Sequence, residues 1–422
     1  MRFMRFFVIC IFLFNLVFMN ACSNKNTKES NGKTVVKLAV WDYNLAQEYK
    51  EAIKEFESQN KDISIKVTDI SSKEYTDKVT IMLAGGEDTD VIAIKDMPSY
   101  SGFVSKKQIM SLDDKISKDK IDIEPYKGIL EDIKLDEKLY QLPYRSDIWI
   151  LYYNKEIFDN AKESYPTNNL TFNKFQQISK NITSGKGNDK IYGTYIHTWK
   201  SCIMNWAVAN GNETLIDGQY DFLKPAYDIF LKIQNEDKSA LDYATAKTQN
   251  SNYLGQFESG KVGMLLMGSW FIGQLISDKK DGKHTIDWGI AKAPHFDNGE
   301  EGMTFGNITG LAINEKSSRK DEAWEFVKFM GTESGAECFA KRGVFPAYRT
   351  DNIMKTYLSV DGFPKDNEGA LDTKSVKLEF PPSKNGAEID KILQEEHELI
   401  MIGENKVDKG IDEMEKRVKE VD

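Results

Sequence analysis

Residues 35 to 94 restrict the architecture more than any other part of the chain. Val35 to Val40 is an apolar run of strand length, Ala46, Tyr49, Ala52, Ile53 and Phe56 recur at helical spacing, and Ile63, Ile65 and Val67 alternate. Tyr75 to Ala84 is helical again and closes at Gly85-Gly86, and Asp90 to Ile94 reads as a buried strand. That order is βαβαβ. Such connections predict a mostly parallel sheet with helices on both faces, and ligand groups just after the first and third strands. The chain carries Trp41-Asp42-Tyr43-Asn44 and Lys95-Asp96 at those points.

A second constraint lies between Gln256 and Trp270. Gly260 can take the left-handed conformation that closes a helix, and Val262 to Met267, bounded by glycines, has the length of a strand covered on both faces. Gly268-Ser269 carries no bulk, so the backbone can turn at the carboxyl end of that strand and present Trp270 to the crevice where open α/β sheets bind ligands. The alternative for any single Trp is a place in the core. At 422 residues the chain exceeds the size at which one core stops growing, so two domains are expected. The formal charge, 56 Lys+Arg against 66 Asp+Glu for a net −10, argues against nucleic acid as a partner.

Phe257, Gly260, Lys261, Met264, Gly268, Ser269 and Trp270 form a Phe-x-x-Gly-Lys-x-x-Met strand running into Gly-Ser-Trp. This stretch resembles the family 1 extracellular solute-binding proteins of carbohydrate ABC importers, the maltose- and multiple-sugar-binding lipoproteins. Further segments continue the resemblance. Gly85, Gly86, Asp90 and Val91 form one; Leu142-Pro143, the apolar run Ile148 to Tyr153 and Asn154-Lys155-x-x-Phe158 form another. Lys320-x-x-Ala323-Trp324-x-Phe326-x-Lys328-Phe329 and Gly343-x-x-Pro346-Ala347 complete the series.

The resemblance implies an α/β, periplasmic-binding-protein-like fold, two lobes each with a mostly parallel sheet flanked by helices, joined by a multi-crossing hinge. The implied layout is a lipoprotein signal peptide over 1–21, a flexible tether over 22–33, an N-terminal lobe from 34–143 and 309–345, and a C-terminal lobe from 144–308 and 346–422. It implies capture of a mono- or oligosaccharide against the Trp270 indole and delivery to ABC permease subunits driven by a partner ATPase. A monomer without cofactor or metal is expected.

Several residues carry two readings. Trp41 and Asp42 stack on a sugar and accept from its hydroxyls, or Asp42 caps the next helix with Trp41 packed beneath it. Asp96 joins the ligand groups, while Lys95 reads as a solvated lysine. Arg145 and Asp147, where the lobes face each other, hold ligand or pair with one another. His197, Trp199 and Trp206 lie where sugar-binding relatives place further aromatics, and each Trp touches ligand or belongs to the core. Asn307 precedes the strand Leu311 to Asn314 at the second crossing, and Arg349, at the third, reaches a sugar hydroxyl or an interlobe carboxylate. Arg145, His197 and Arg349 leave an acidic saccharide open.

At the N-terminus, Arg2 and Arg5 precede the apolar stretch Phe6 to Met19 and Asn20-Ala21-Cys22. The pattern is that of a lipoprotein signal whose cleavage leaves Cys22 lipidated at the extracellular face of the cytoplasmic membrane. An uncleaved anchor, or a cleavage site with an incidental Cys22, is the alternative. Ser23 to Lys33 is polar throughout. Under the family layout Cys202 and Cys338 fall in different lobes, so both read as small buried hydrophobes rather than a disulfide.

Catalytic motifs are missing. The chain has no Gly-x-Ser-x-Gly elbow, no Walker loop, no Gly-x-Gly-x-x-Gly and no zinc-type spacing. A glycosidase's opposed carboxylates leave no local motif, so a secreted carbohydrate-active enzyme, a surface lectin and a binding protein for a non-sugar solute stay as alternatives. Tyr152 and Tyr153 are adjacent in a strand and point to opposite faces, which argues against a shared metal.

Overall fold

The computed structural model describes residues 32–44, 46–364 and 369–421. The expected signal peptide over 1–21, Cys22 and nearly all of the expected tether lie outside the described residues. The chain opens with β1 (Thr34–Trp41), α1 (Gln47–Gln59), β2 (Ile63–Ile70), α2 (Tyr75–Gly85), β3 (Val91–Ile94) and α3 (Met97–Ser105). Strands β2 and β3 both pair in parallel with β1. Val36, Leu38, Ala39 and Val40 are fully buried, as a strand covered on both faces requires.

The second half contains β4 (Leu142–Asn154), α4 (Phe172–Ile182), β5 (Tyr192–Tyr195), α5 (Ser201–Asn210), α6 (Tyr253–Glu258), β6 (Val262–Gly268), α7 (Trp270–Lys280) and β7 (Trp288–Lys292). Then come β8 (Met303–Ile313), α8 (Lys320–Gly331), β9 (Ser375–Leu378), α9 (Gly386–Met401) and α10 (Val407–Lys419). Thr171 caps α4 by accepting from the Lys174 N–H. Trp324 on α8 is core, and its indole N–H donates to Asp119 at 2.9 Å.

Two long strands organise the molecule. The sheet order is β2-β1-β3-β8-β4-β6-β5, with β7 against β4 and β9 against β8. Leu142 to Ile148 of β4 pair with β8, whereas Trp149 to Tyr153 pair with β6 and Ile150 to Asn154 with β7. Likewise Gly310 to Ile313 of β8 pair with β3, and Met303 to Gly306 with β9. Each strand therefore serves both halves. A third pass runs beside them: the Ser146 N–H donates to Phe345 O at 3.3 Å and the Ala347 N–H to Tyr144 O at 3.1 Å. The register of β4 shifts between Pro143 and Arg145, where a residue without an N–H interrupts the ladder.

These crossings qualify the expected parallel character. Pairing is parallel within the halves, at β1–β2, β1–β3 and β5–β6, and at β8–β9. Every antiparallel pairing between named strands involves β4 or β8. A chain that crosses and later returns must run in opposite directions on the two passes. Strand β8 also starts earlier than Leu311, because its glycines do not break it. A Cβ on Gly310 would lie 2.5 Å from Gln141 Oε1 and 2.9 Å from Leu142 O, so that glycine permits close approach within the sheet.

The cysteines need one correction. Cys202 is buried, but Cys338 is half-exposed, and both are free.

Candidate functional site

The end of β6 shapes the site. Trp270 is the first residue of α7, and its ring folds back over the strand terminus: a Cβ on Gly268 would lie 1.9 Å from Cζ3 of that indole. Trp149, 1% exposed on β4, forms a hub. Its ring meets Trp270 edge-on with centroids 5.6 Å apart, Trp199 at 6.4 Å, and stacks on Phe305 at 4.8 Å. Trp199 is 40% exposed, so it offers surface as well as support. Edge-to-face packing fixes ring planes while leaving other faces open.

Tyr253 completes this wall. It opens α6 directly after Asn252, whose side chain caps the helix through the Gly255 N–H at 2.8 Å. Its ring lies 5.8 Å from Trp199 and 5.3 Å from Phe271. Its hydroxyl is hydrogen-bonded to the Trp270 side chain and feels the charges of Arg145, Asp42 and Asp147. His197 sits 4.4 Å from Trp199, and burial pushes its imidazole down to about 4, so it is neutral at neutral pH.

Trp206 does not join the wall. It is 1% exposed, donates its indole N–H to Cys202 O within its own helix at 3.0 Å, and packs on Phe172 and Phe305. Helix α5 is buried along both sides, so the residue fills the core instead of meeting a ligand. Trp206→Phe is therefore expected to cost about 1–2 kcal/mol of stability and to leave ligand affinity unchanged, as denaturation and titration of the same preparation would show.

The facing side comes from the loops after β1 and β3. Trp41 packs edge-on to Tyr75 at 5.1 Å, and Lys95 Nζ and Arg145 Cζ lie 5.8 and 5.9 Å from its ring centroid. Asp42 has φ 49°, and its Oδ1 accepts from the Ser72 N–H at 2.9 Å. Helix α1 has no side-chain cap, so Asp42 ties two loops together and the capping reading is not the arrangement found. Asp96 is the cap, for α3, accepting from the Ser99 N–H at 2.8 Å and from Thr76 Oγ1 at 3.3 Å. Lys95 is not a solvated lysine: its Nζ donates to Ser72 O at 2.6 Å and Ser72 Oγ at 2.7 Å, and burial lowers its pKa.

Between the two sides stands the hinge pair. Arg145 Nε lies 2.8 Å from Asp147 Oδ2, although its N–H does not point along that line, and Nη2 donates to Thr309 Oγ1 at 3.4 Å. Asp147 is 1% exposed and accepts from Ser269 Oγ at 2.8 Å and from the Trp270 backbone N–H. Burial raises the Asp147 carboxyl and the Arg145 charge opposes that. The pair reading of Arg145 and Asp147 is thus the geometry found, and it reaches Trp270 through Ser269. Burial also raises Glu48, which feels Arg145 and Asp147.

Asn307 and Arg349 stand apart from the aromatic wall. Asn307 lies opposite Asp147 on β8 and its Nδ2 donates to Lys95 O at 2.9 Å, bracing the β3 loop. The Arg349 N–H donates to Pro125 O at 2.9 Å and its guanidinium lies 5.3 Å from the Phe345 centroid. Its Nε is buried with no hydrogen-bond partner among the described residues, and burial lowers its pKa. Glu379, just beyond β9, has its carboxyl pushed up to about 7 by burial and accepts from Ser201. No group of three or more His, Cys, Asp or Glu able to hold a metal occurs among the described residues.

Trp149, Tyr253 and Glu379 carry no sequence signal of a site. Only the Asn252 cap hints that a helix begins at Tyr253.

Two halves joined by three passes, with an aromatic wall on one side and charged loops on the other, define a two-lobed binding protein. The family model for bacterial extracellular solute-binding proteins matches residues 44–337, and the chain belongs to that family. A crystal structure of a sugar transporter from Rhizobium etli in an open conformation is similar at 38% identity, TM-score 0.78, covering 91% of this chain and 99% of that one. An ABC substrate-binding protein from Listeria monocytogenes in complex with cycloalternan shares the fold at TM-score 0.81 and 22% identity, over 92% and 98% of the two chains. The maltodextrin-binding protein MdxE of Bacillus subtilis strain 168 is 22% identical over 351 residues, 79% of this chain and 78% of its own length.

Proposed function

We propose that this chain captures a mono- or oligosaccharide between its lobes and delivers it, chemically unchanged, to an ABC permease. The observation that carries this reading is the wall of Trp270, Trp199 and Tyr253 beside Asp42, Asp147 and Arg145. A sugar ring offers an apolar face to an indole and hydroxyls to carboxylates. Stacking contributes about 1 kcal/mol beyond burial, by analogy with aromatic pairs. Closure is driven by the contacts that ligand makes only in the closed form. The names of the relatives, a sugar transporter, a maltodextrin-binding protein and a cycloalternan complex, support the same class of ligand.

Charge favours a neutral sugar over an acidic one. Arg145 is matched by Asp147 and His197 is neutral, so of the three groups considered for an acid only Arg349, at the third crossing, lacks a matching group among the described residues. The lobes divide at 34–143 with 309–345 and at 144–308 with 346–422 in this reading, with β4, β8 and residues 343–349 as the crossings. The protein works as a lipid-anchored monomer held through Cys22, needs no cofactor and performs no reaction.

A panel of neutral saccharides tested by thermal shift distinguishes the alternatives. A binding protein gains about 2.7 kcal/mol at a ligand concentration a hundred times Kd, saturably, and returns the sugar intact. Cleaved glycan in the recovered sample would establish an enzyme, and a response to non-sugar solutes alone would remove the carbohydrate.

A further inference from the structure

Strands β3 and β9 approach each other along one edge of β8. Strand β3 pairs antiparallel, from Val91 with Ile313 to Ile94 with Gly310, and β9 pairs parallel, from Ser375 with Met303 to Leu378 with Gly306. Their carboxyl ends therefore converge from opposite halves of the molecule, with only Asn307 to Thr309 of β8 between them. Both chains must leave the sheet there: Lys95-Asp96 leads into α3, and the residues from Glu379 to Asn385 lead into α9. Open α/β sheets bind ligands at the carboxyl ends of their strands, so whatever fills this gap decides how the crevice ends.

The segment after β9 fills it. The Glu379 backbone is held on both sides, its N–H donating to Gly306 O at 2.8 Å and its carbonyl accepting from Asn205 Nδ2 of α5 at 2.5 Å. Phe380 is buried, and the Ser383 N–H donates at 3.1 Å to Oγ of Ser101, a buried residue of α3. Gly386, which opens α9, sits against the same helix: a Cβ there would lie 3.3 Å from Phe380 Cε1 and 3.8 Å from Pro98 Cα. One turn further on, Asp390 pairs with Lys200 at 2.5 Å. Lys200 follows Trp199 of the aromatic wall, and α3 is the helix that Asp96 caps. One segment thus spans from beside Trp199 to beside Asp96 without being a crossing of the chain.

We propose that residues 379–386, docked on α3, are the end wall of the crevice, so that the ligand is a saccharide taken by one end of its chain with the terminal ring against this wall. The wall stands on the contacts just given; its consequence for the ligand rests on the sugar-binding reading. A further sugar unit on that side would need the space that Phe380 to Ser383 occupy. A linear chain can present its last unit and extend away from the wall. A closed ring of the same units has no end to present.

Hydrogen exchange in the ligand-free full chain tests the wall. The Ser383 amide should exchange slowly, and Ser101→Ala should speed it by about tenfold, the worth of one hydrogen bond. Exchange at Ser383 as fast as in an unstructured peptide would overturn the proposal. Titration with maltohexaose and with α-cyclodextrin, the same glucose units closed into a ring, reads the consequence. The linear sugar should bind at least about tenfold tighter. Gly386→Leu, whose side chain has no room between Pro98 and Phe380, should push α9 off α3, speed Ser383 exchange and shrink that ratio. Equal affinity for the two sugars in the wild-type protein would overturn end binding whether or not Gly386→Leu folds. A protected Ser383 amide with no saccharide bound at all would support the wall and count against the capture reading.

Discussion

Arg145→Ala is expected to destabilise the ligand-free protein by about 3–5 kcal/mol, because it strands a buried carboxylate. Asp147 is 1% exposed, and the Arg145 guanidinium is the cation beside it at 2.8 Å. The Ser269 hydroxyl and the Trp270 N–H remain as donors after the substitution, but neither carries charge. Urea denaturation should show a lower midpoint at unchanged slope. Asp147→Asn in the Arg145→Ala background should recover most of the loss, since the charge to be solvated is gone. The pH dependence has a definite sign. Burial already raises Asp147, and without Arg145 it rises further, so the penalty should shrink as pH falls and the carboxyl takes up a proton. A single mutant as stable as wild type at pH 7, or a double mutant no better than the single, would show that this pair does not hold the hinge together.

That pair also shows where sequence reading stops. The βαβαβ opening and the buried β6 strand are legible because hydrophobic period and glycine placement are local properties, and Val36, Leu38 to Val40 and Val262 to Met267 are buried as their patterns require; the two crossings come from the family resemblance, and β8 begins well before Leu311. Arg145 and Asp147 are two apart on β4, so their spacing puts both on one face of the strand, but nothing in that spacing says whether they pair or hold ligand. The aromatic residues divide for the same reason. Trp199 and Trp206 are seven residues apart, yet one is 40% exposed and the other 1%, because the first precedes α5 and the second lies within it. Residue type alone makes Lys95 a solvated lysine, but the Ser72 loop folds over it. Tyr253 has no local signature because its role depends on its ring meeting Phe271 of α7 and Trp199, contacts between elements far apart in sequence.

Gly268→Ala should weaken ligand binding by at least about 2 kcal/mol, roughly thirtyfold, even though it keeps every aromatic residue. The new methyl would sit 1.9, 2.2 and 2.3 Å from Cζ3, Cε3 and Cη2 of Trp270, far inside van der Waals contact. The backbone there belongs to β6, paired with Trp149 on β4, so the indole must swing away instead. Moving it breaks the edge contact with Trp149 and the hydrogen bond to Tyr253. The wall then loses its flat surface, and overpacking adds about 1–3 kcal/mol of instability. Trp270→Ala should weaken binding to a similar degree by deleting the surface outright, and combining the two should add little, because both act on one ring. Gly85→Ala is the control, since a Cβ there meets nothing within 4 Å. Calorimetric titration with a saccharide found in the thermal screen checks the set. Normal affinity in Gly268→Ala, with the indole emission shifted to show that the ring has moved, would mean that the ligand does not rest on Trp270.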